Sequence, residues 1–197
     1  MAHTRTIVLV LAAVGIVAFA TGYLHMPIPA GGDLPQAYAN SAMKFSLRLP
    51  DGYTADESYK YTELGPDEEI AGIKFTIPSS VATGTNLSSD SYISVEQIPD
   101  LPSCIAGPFL WKGQRIALSP SDDATPFLVA SSTGAAAGNR YEETVYALQD
   151  TNPCTAIRYM LHYGAMANYP EGAVREYDRA ALLATFDAIR RSLKVGE

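Results

Sequence analysis

The sequence is poor in the residues that most often carry chemistry, with three histidines, two cysteines and one tryptophan among 197 residues. Beyond residue 26, His162 is the sole histidine. A serine hydrolase needs a nucleophile, a base and an orienting acid, and no G-x-S-x-G motif accompanies His162. We therefore assign no catalytic residue from the sequence.

Patterns that bind metals or cofactors are missing as well. The two cysteines are far apart rather than in a C-x-x-C pair, and histidines do not cluster. No acidic run has the central glycine and distal glutamate of a calcium loop. The polar stretch 79–90 lacks the second glycine and the lysine of a phosphate loop, so it is interpreted as a turn. We expect no metal and no cofactor.

Charge is absent from residues 7–24, which follow Arg5 and precede every acidic residue of the chain. A basic start, an apolar stretch and a polar exit with prolines predict an export segment over residues 1–26. Small residues at Ala18 and Ala20 suit a signal peptidase, whereas 18 uncharged residues at about 1.5 Å each just span a bilayer core of roughly 30 Å. The segment is thus a cleaved signal peptide or a retained anchor.

Both alternatives send the rest of the chain to the periplasm or the cell exterior. Arg5 holds the N-terminus on the cytoplasmic side. The protein is then soluble after cleavage, or tethered to the inner membrane by residues 7–24 if it is uncleaved.

The remaining chain has the length of one domain. Residues 27–41 are rich in proline, glycine and small residues and predict a linker, and residues 42–197 predict a single exported domain. Removing residues 1–32 takes one of the 14 basic residues and none of the 21 acidic ones, which leaves a net charge of −8. A domain of this charge is expected to avoid nucleic acid.

Cys104 and Cys154 are an even number of cysteines in an oxidising compartment, and we predict that they form a structural disulfide. The chain-entropy model gives roughly 4 kcal/mol for the loop of about 51 residues that they would close.

Alternation of apolar and polar residues predicts a series of β-strands. The clearest is 155–163, where Ile157, Tyr159 and Leu161 share one face while Arg158, Met160 and His162 share the other. The other predicted strands cover residues 43–49, 59–61, 71–77, 92–98, 127–131 and 140–148. Residues 99–125, with several prolines, predict a long excursion with a short helix near Cys104.

The period changes near the C-terminus, where Leu182, Phe186, Ile189 and Leu193 are spaced as on one face of an α-helix. Asp178 is a suitable N-cap for this helix. Strands followed by one amphipathic helix predict an α+β fold, in which the helix covers a mostly antiparallel sheet.

Two short segments resemble a known family. Residues 45–53 (FSLRLPDGY) are similar to the first strand and proline-glycine-aromatic turn of Mog1/PsbP-like domains, and residues 186–193 (FDAIRRSL) resemble their closing helix. The resemblance implies a Mog1/PsbP-like α/β sandwich over residues 43–195. It also implies a non-enzymatic module that binds or helps to assemble larger complexes. No functional residue carries over.

The exported part is rich in tyrosine, which suits both binding surfaces and β-sheets. Tyr59, Tyr61 and Trp111 lie in the less hydrophobic surroundings, so they are the first candidates for a recognition patch, although core packing is the favoured interpretation.

These observations favour a non-catalytic envelope domain that binds a partner protein or assists the assembly of an envelope complex. An envelope hydrolase is the alternative, either dependent on His162 or an acid-base glycosidase using the acids at 67–69 or 122–123. An inhibitor of another enzyme is a variant of the binding function.

Overall fold

The computed structural model describes residues 32–111, 117–120 and 127–196, and these form two antiparallel β-sheets with one long helix near the C-terminus. The smaller sheet has the order β1-β2-β11, and the larger has the order β3-β5-β6-β10-β9-β8-β7, with β4 also paired to β5. The strands are β1 (Gln36–Asn40), β2 (Phe45–Leu49), β3 (Thr54–Asp56), β4 (Lys60–Tyr61), β5 (Ile70–Thr76), β6 (Tyr92–Ile98), β7 (Ala117–Pro120), β8 (Phe127–Ala136), β9 (Asn139–Leu148), β10 (Cys154–Gly164) and β11 (Lys194–Val195).

The helical elements are few in the described part of the chain. Helix α1 (Ser79–Ala82) is a single turn, and α2 (Arg179–Arg191) is the long helix. Two short 3-10 turns occur at Gly107–Phe109 and Met166–Asn168.

The centre of the large sheet is the meander β8-β9-β10, followed by β6 on the other side of β10. A two-residue turn joins β8 to β9, since Ala136 pairs with Asn139. Both turn residues, Ala137 and Gly138, have positive φ, the conformation that two-residue hairpins favour because it matches the strand twist. This turn lets β8 continue five residues beyond the predicted end at residue 131.

The first face of the large sheet carries the main core. Apolar side chains of the central strands meet those of β2 and of α2, so that the helix and the small sheet both pack on this face. The core residues from these elements are Phe45, Leu47, Leu49, Ile73, Phe75, Ile93, Val95, Ile157, Tyr159, Leu161, Leu182, Phe186 and Ile189.

Helix α2 begins and packs as its sequence predicts. The Asp178 carboxylate accepts a hydrogen bond from the Ala181 N–H at 2.9 Å, which satisfies one of the free donors at the helix start. Arg190 of this helix is buried although it is charged. Its Nε donates to the Tyr159 hydroxyl at 2.8 Å, and its guanidinium lies 4.2 Å from the Tyr146 ring centroid.

Residues 101–110, the covering segment, pack on part of the second face of the large sheet. Cys104 in this segment forms a disulfide with Cys154 at the start of β10, as predicted. Phe109 and Leu110 are buried beside the disulfide, against small residues of the sheet. These sheet residues are Ala130, Val145, Ala147 and Ala156.

The predicted mostly antiparallel sheet and C-terminal helix are thus confirmed. Residues 36–40, inside the predicted linker, form β1 because β2 offers them a complete antiparallel ladder, although their own sequence does not alternate. The predicted loop 79–90 contains the single turn of α1, in which the Thr83 hydroxyl donates to the Ser79 carbonyl at 2.8 Å.

The predicted export segment, residues 1–26, and the acids at 122–123 lie outside the described residues. Within the described ranges, no helix is both long enough and apolar enough to cross a membrane.

Removing the disulfide is expected to weaken the domain and loosen the covering segment. The double substitution Cys104→Ser/Cys154→Ser frees a loop that spans 50 positions, so we expect a loss of about 4 kcal/mol of unfolding free energy. Urea unfolding of the full-length wild type and of the double variant, both without reductant, measures this loss. With reductant present, the two proteins should unfold alike. A stability equal to that of the oxidised wild type contradicts it.

Candidate functional site

Side chains on the second face of the large sheet fall in rows that run across the strands. One row holds Ser94, Arg158 and Val145, and the next holds Tyr92, Met160 and Glu143. A further row pairs His162 with Tyr141 and Tyr141 with Gly134. The covering segment ends near the first of these rows, so the later rows form the floor of an open groove.

Arg158 is fully buried at the boundary between the covered and open parts of this face. Its Nε and Nη2 donate to the two oxygens of Glu96 at 2.8 Å each, and its Nη1 donates to Glu143 Oε2 at 2.9 Å. Nη2 also donates to the Phe109 carbonyl at 2.7 Å. The guanidinium therefore links β6, β10 and β9 to the covering segment.

Aromatic side chains close the space around this ion cluster. The Tyr61 ring centroid is 3.5 Å from the Arg158 guanidinium carbon, and the Tyr61 hydroxyl donates to Glu143 at 3.1 Å. The Tyr59 hydroxyl lies 2.9 Å from that of Tyr92 and 3.4 Å from Glu96 Oε1. Burial raises the pKa of Tyr92 to about 12, so its hydroxyl stays protonated and can donate.

The two buried carboxylates share one guanidinium, so the cluster carries a net negative charge when both are ionised. Burial raises the pKa of Glu143, and the opposing effects of Arg158 and the Tyr61 hydroxyl do not fully offset it. Glu143 is the member of the cluster that also lines the groove.

The groove has a volume of about 810 Å³, within the range of ligand-binding sites. Its floor is formed by β6, β10, β9 and the end of β8, one wall by the loop 62–66, and another by Trp111. Trp111 is 46% exposed, which is unusual for a side chain of this size. Three consecutive small residues at 134–136 leave space on the β8 side.

His162 lies at the end of the groove, stacked on the Tyr141 ring with 4.5 Å between ring centroids. Its Nδ1 is 2.8 Å from Asp90 Oδ1. Burial raises the pKa of Asp90, but hydrogen bonds from Ser88 and His162 outweigh this and bring it below its ordinary value. The Nε2 of His162 is buried and has no hydrogen-bond partner among the described residues.

The three residues predicted for recognition lie in different surroundings. Trp111 is exposed at the groove wall. Tyr59 is half-buried and contacts Tyr92, and Tyr61 is 2% exposed in the core beside the disulfide, where its ring contacts Arg158. Tyr61 is buried because β4 pairs with β5 and points the ring toward the sheet, a contact that two residues of alternation do not reveal.

Sequence reasoning missed Glu96, Glu143 and the buried state of Arg158. The signal available was a charged residue on each of three predicted strands, since charged residues are rarely buried in a sheet without partners. Among the described residues, no three His, Cys, Asp or Glu side chains cluster in a way that could hold a metal ion.

Replacing Arg158 by methionine is expected to destabilise the protein by about 3–5 kcal/mol, because two buried carboxylates lose their shared cation. Urea unfolding at neutral pH measures the change. The control is Arg140→Met on the exposed surface of β9, which should cost far less. Equal losses in the two variants contradict the role of the cluster.

The pKa of Glu143 gives a pH-dependent prediction. Because its pKa is raised above the ordinary value of about 4.5, the folded state holds this proton more tightly than the unfolded state. The stability of the wild type relative to Glu143→Gln should therefore fall as pH rises from about 4.5 through the folded pKa, and then level off. Chemical unfolding across this range tests it, with the exposed Glu171→Gln as the control. A relative stability that rises with pH would show a lowered pKa instead.

No family model and no curated protein matches the sequence. Among solved structures, the chain is similar to cyanobacterial PsbP (CyanoP) from Synechocystis sp. PCC 6803. The identity is 14%, the match covers 85% of this chain and 96% of that chain, and the TM-score is 0.37. The similarity assigns no partner and no residue role to this chain.

Proposed function

We propose that the protein is an exported, non-catalytic domain of the cell envelope, with a PsbP-like α+β sandwich, that binds a partner protein or assists the assembly of an envelope complex. The observation that carries this proposal is the open groove with Trp111 at its wall. A large aromatic side chain left exposed beside a cavity is typical of a binding hot spot.

The makeup of the groove supports binding of a protein segment. Its lining combines aromatic and apolar contact area from Trp111, Tyr92, Tyr141 and Met160 with a few polar groups. Specific recognition sites have this composition. The floor consists of paired strands, and Trp111 in the wall follows the disulfide-bonded Cys104 by seven residues. These constraints favour a groove that is largely formed before a partner arrives.

A hydrolase that depends on His162 is supported less well. Asp90 orients the imidazole through Nδ1, as the acid of a catalytic triad does. The opposite nitrogen, which must take a proton from the nucleophile, is buried and has no hydrogen-bond partner in the described part of the chain. A substrate would have to displace neighbouring side chains to reach it.

An acid-base glycosidase is also supported less well. It needs two carboxyl groups that flank a sugar on opposite sides of the scissile bond. The carboxylates of Glu96 and Glu143 both bind Arg158, and Glu69 pairs with Lys60 on the surface. An enzyme inhibitor remains a form of the proposed binding function and would use the same groove.

The proposed location is the periplasm or the cell exterior. The predicted signal or anchor at residues 1–26 supports export, and the disulfide supports an oxidising compartment. If residues 7–24 are retained, the domain is held close to the inner membrane, where envelope complexes assemble.

Capture of the tagged full-length protein from detergent-solubilised membranes of its host tests the proposal. We expect one envelope protein in stoichiometric amount, which is lost with Trp111→Ala because the groove wall is removed. The matched control is Met166→Ala, since Met166 is 40% exposed and does not line the groove. Capture should survive this change.

Two outcomes would overturn the proposal. A wild-type protein that is recovered alone lacks the proposed partner. A hydrolytic activity that disappears with His162→Ala, while Trp111→Ala leaves it intact, would identify an enzyme instead.

A further inference from the structure

Among the described residues, the carboxylates that line the groove are its most distinctive polar groups. Glu63, Asp90 and Glu143 contribute carboxylates, and none of the described lining residues is lysine or arginine. His162 also lines the groove, where its Nδ1 faces Asp90. A ligand that enters the groove therefore meets carboxylates from strand β9 and from the loops that carry Glu63 and Asp90.

Aromatic faces accompany these carboxylates. Trp111, Tyr92 and Tyr141 all line the groove, and aromatic rings attract cations through their negative faces. The same type of contact already exists next to the groove, where the Lys74 ammonium lies 5.3 Å from the Tyr59 ring centroid and 5.9 Å from that of Tyr92. This aromatic pair thus already contacts a lysine of the chain itself.

The buried ion cluster adds to the field at the floor. Both oxygens of Glu96 accept a hydrogen bond from Arg158, so Glu96 is the main partner of the guanidinium. Glu143 accepts one hydrogen bond from Arg158 Nη1 at its Oε2, and its Oε1 accepts only the Tyr61 hydroxyl among the described residues. A carboxylate oxygen has two lone pairs, so Glu143 retains the capacity to accept from a cationic donor in the groove.

From these features we infer that the groove binds lysine or arginine side chains of a basic segment in the partner protein. The charged end lies between Glu143 and the outer acids Glu63 and Asp90, and the aliphatic stem packs on Trp111, Tyr92 and Tyr141. Long basic side chains combine an apolar stem with a charged tip and match such a lining. This inference rests on the proposed function, because it specifies the chemistry of the partner.

The size of the groove favours a peptide segment over a single small cation. About 810 Å³ exceeds what one ammonium group fills, and the groove crosses four strands from β6 to β8. The net charge of −8 outside residues 1–32 also steers a basic partner toward the domain from a distance.

Fluorescence of Trp111 provides a direct readout, because it is the only tryptophan of the chain and it lines the groove. We would titrate the full-length protein in neutral detergent with tetralysine capped at both ends, and with capped tetraglutamine and tetraglutamate. Tetralysine should change the emission saturably and bind at least tenfold more tightly than tetraglutamine. Tetraglutamate should not bind.

Two variants test whether the groove is the site. Glu63→Gln/Asp90→Asn removes two carboxylates from the lining and should weaken tetralysine binding about tenfold or more. Gly134→Leu fills the groove without changing charge. A Cβ at residue 134 meets only the Tyr141 Cβ, at 4.0 Å, so this substitution should be tolerated by the strand while it blocks the peptide.

The control is Asp33→Asn/Glu171→Gln, which removes the same charge from exposed positions outside the groove. Binding that changes little in this control but falls in the groove variants supports the inference. An equal fall in both charge variants would show general attraction to an acidic surface and overturn it. Thermal unfolding of each variant confirms that the domain is intact.

The inference and the proposed function can fail separately. If capture of the envelope partner depends on Trp111 but is unchanged by Glu63→Gln/Asp90→Asn, the binding function stands and the basic ligand is wrong. If spermine binds at the groove more tightly than tetralysine and no partner is captured, the groove is a small-cation site and both are wrong.

Discussion

A guanidinium buried between two carboxylates organises the second face of the large sheet. Arg158 joins three neighbouring strands through Glu96 and Glu143, and through the Phe109 carbonyl it also holds the covering segment. Buried ion clusters often contribute little net stability, because desolvation opposes their attraction. Their loss is nevertheless costly, since it leaves charges buried without partners. Here the cluster fixes where the covered core ends and where the open groove begins.

The two faces of the sheet are used for different purposes. The first face buries apolar side chains against α2 and the small sheet, and the free energy of folding comes mainly from this burial. The second face has a smaller core next to the Cys104–Cys154 disulfide, and it becomes polar and aromatic farther along the strands. When one face of a sheet is buried in the main core, part of the other face can stay exposed and bind a partner without loss of the main source of stability.

Much of the fold follows from patterns within short stretches of sequence. Alternation in residues 155–163 groups Ile157, Tyr159 and Leu161 on one face of β10, which is the face in the main core. The spacing of Leu182, Phe186 and Ile189 likewise predicts the packed side of α2. The site depends instead on distant partners. Glu96 and Glu143 are 62 and 15 positions from Arg158 in the sequence. Alternation alone therefore predicts that the face of β10 with Arg158 is exposed to solvent. The groove likewise draws on β6, β8, β9, β10 and a loop, and such convergence is set by strand order rather than by local sequence.

Strand β10 contributes to every part of this arrangement. Cys154 lies at its start, Arg158 near its middle and His162 near its end, while the alternate positions 157, 159 and 161 lie in the main core. Because side chains alternate with a period of two, shifting β10 by one residue would send all of these groups to the wrong face at once. The disulfide, the ion cluster and the core therefore each stabilise the same register of β10. Insertions and deletions within residues 154–164 should be tolerated far less than substitutions on the surface of the same strand.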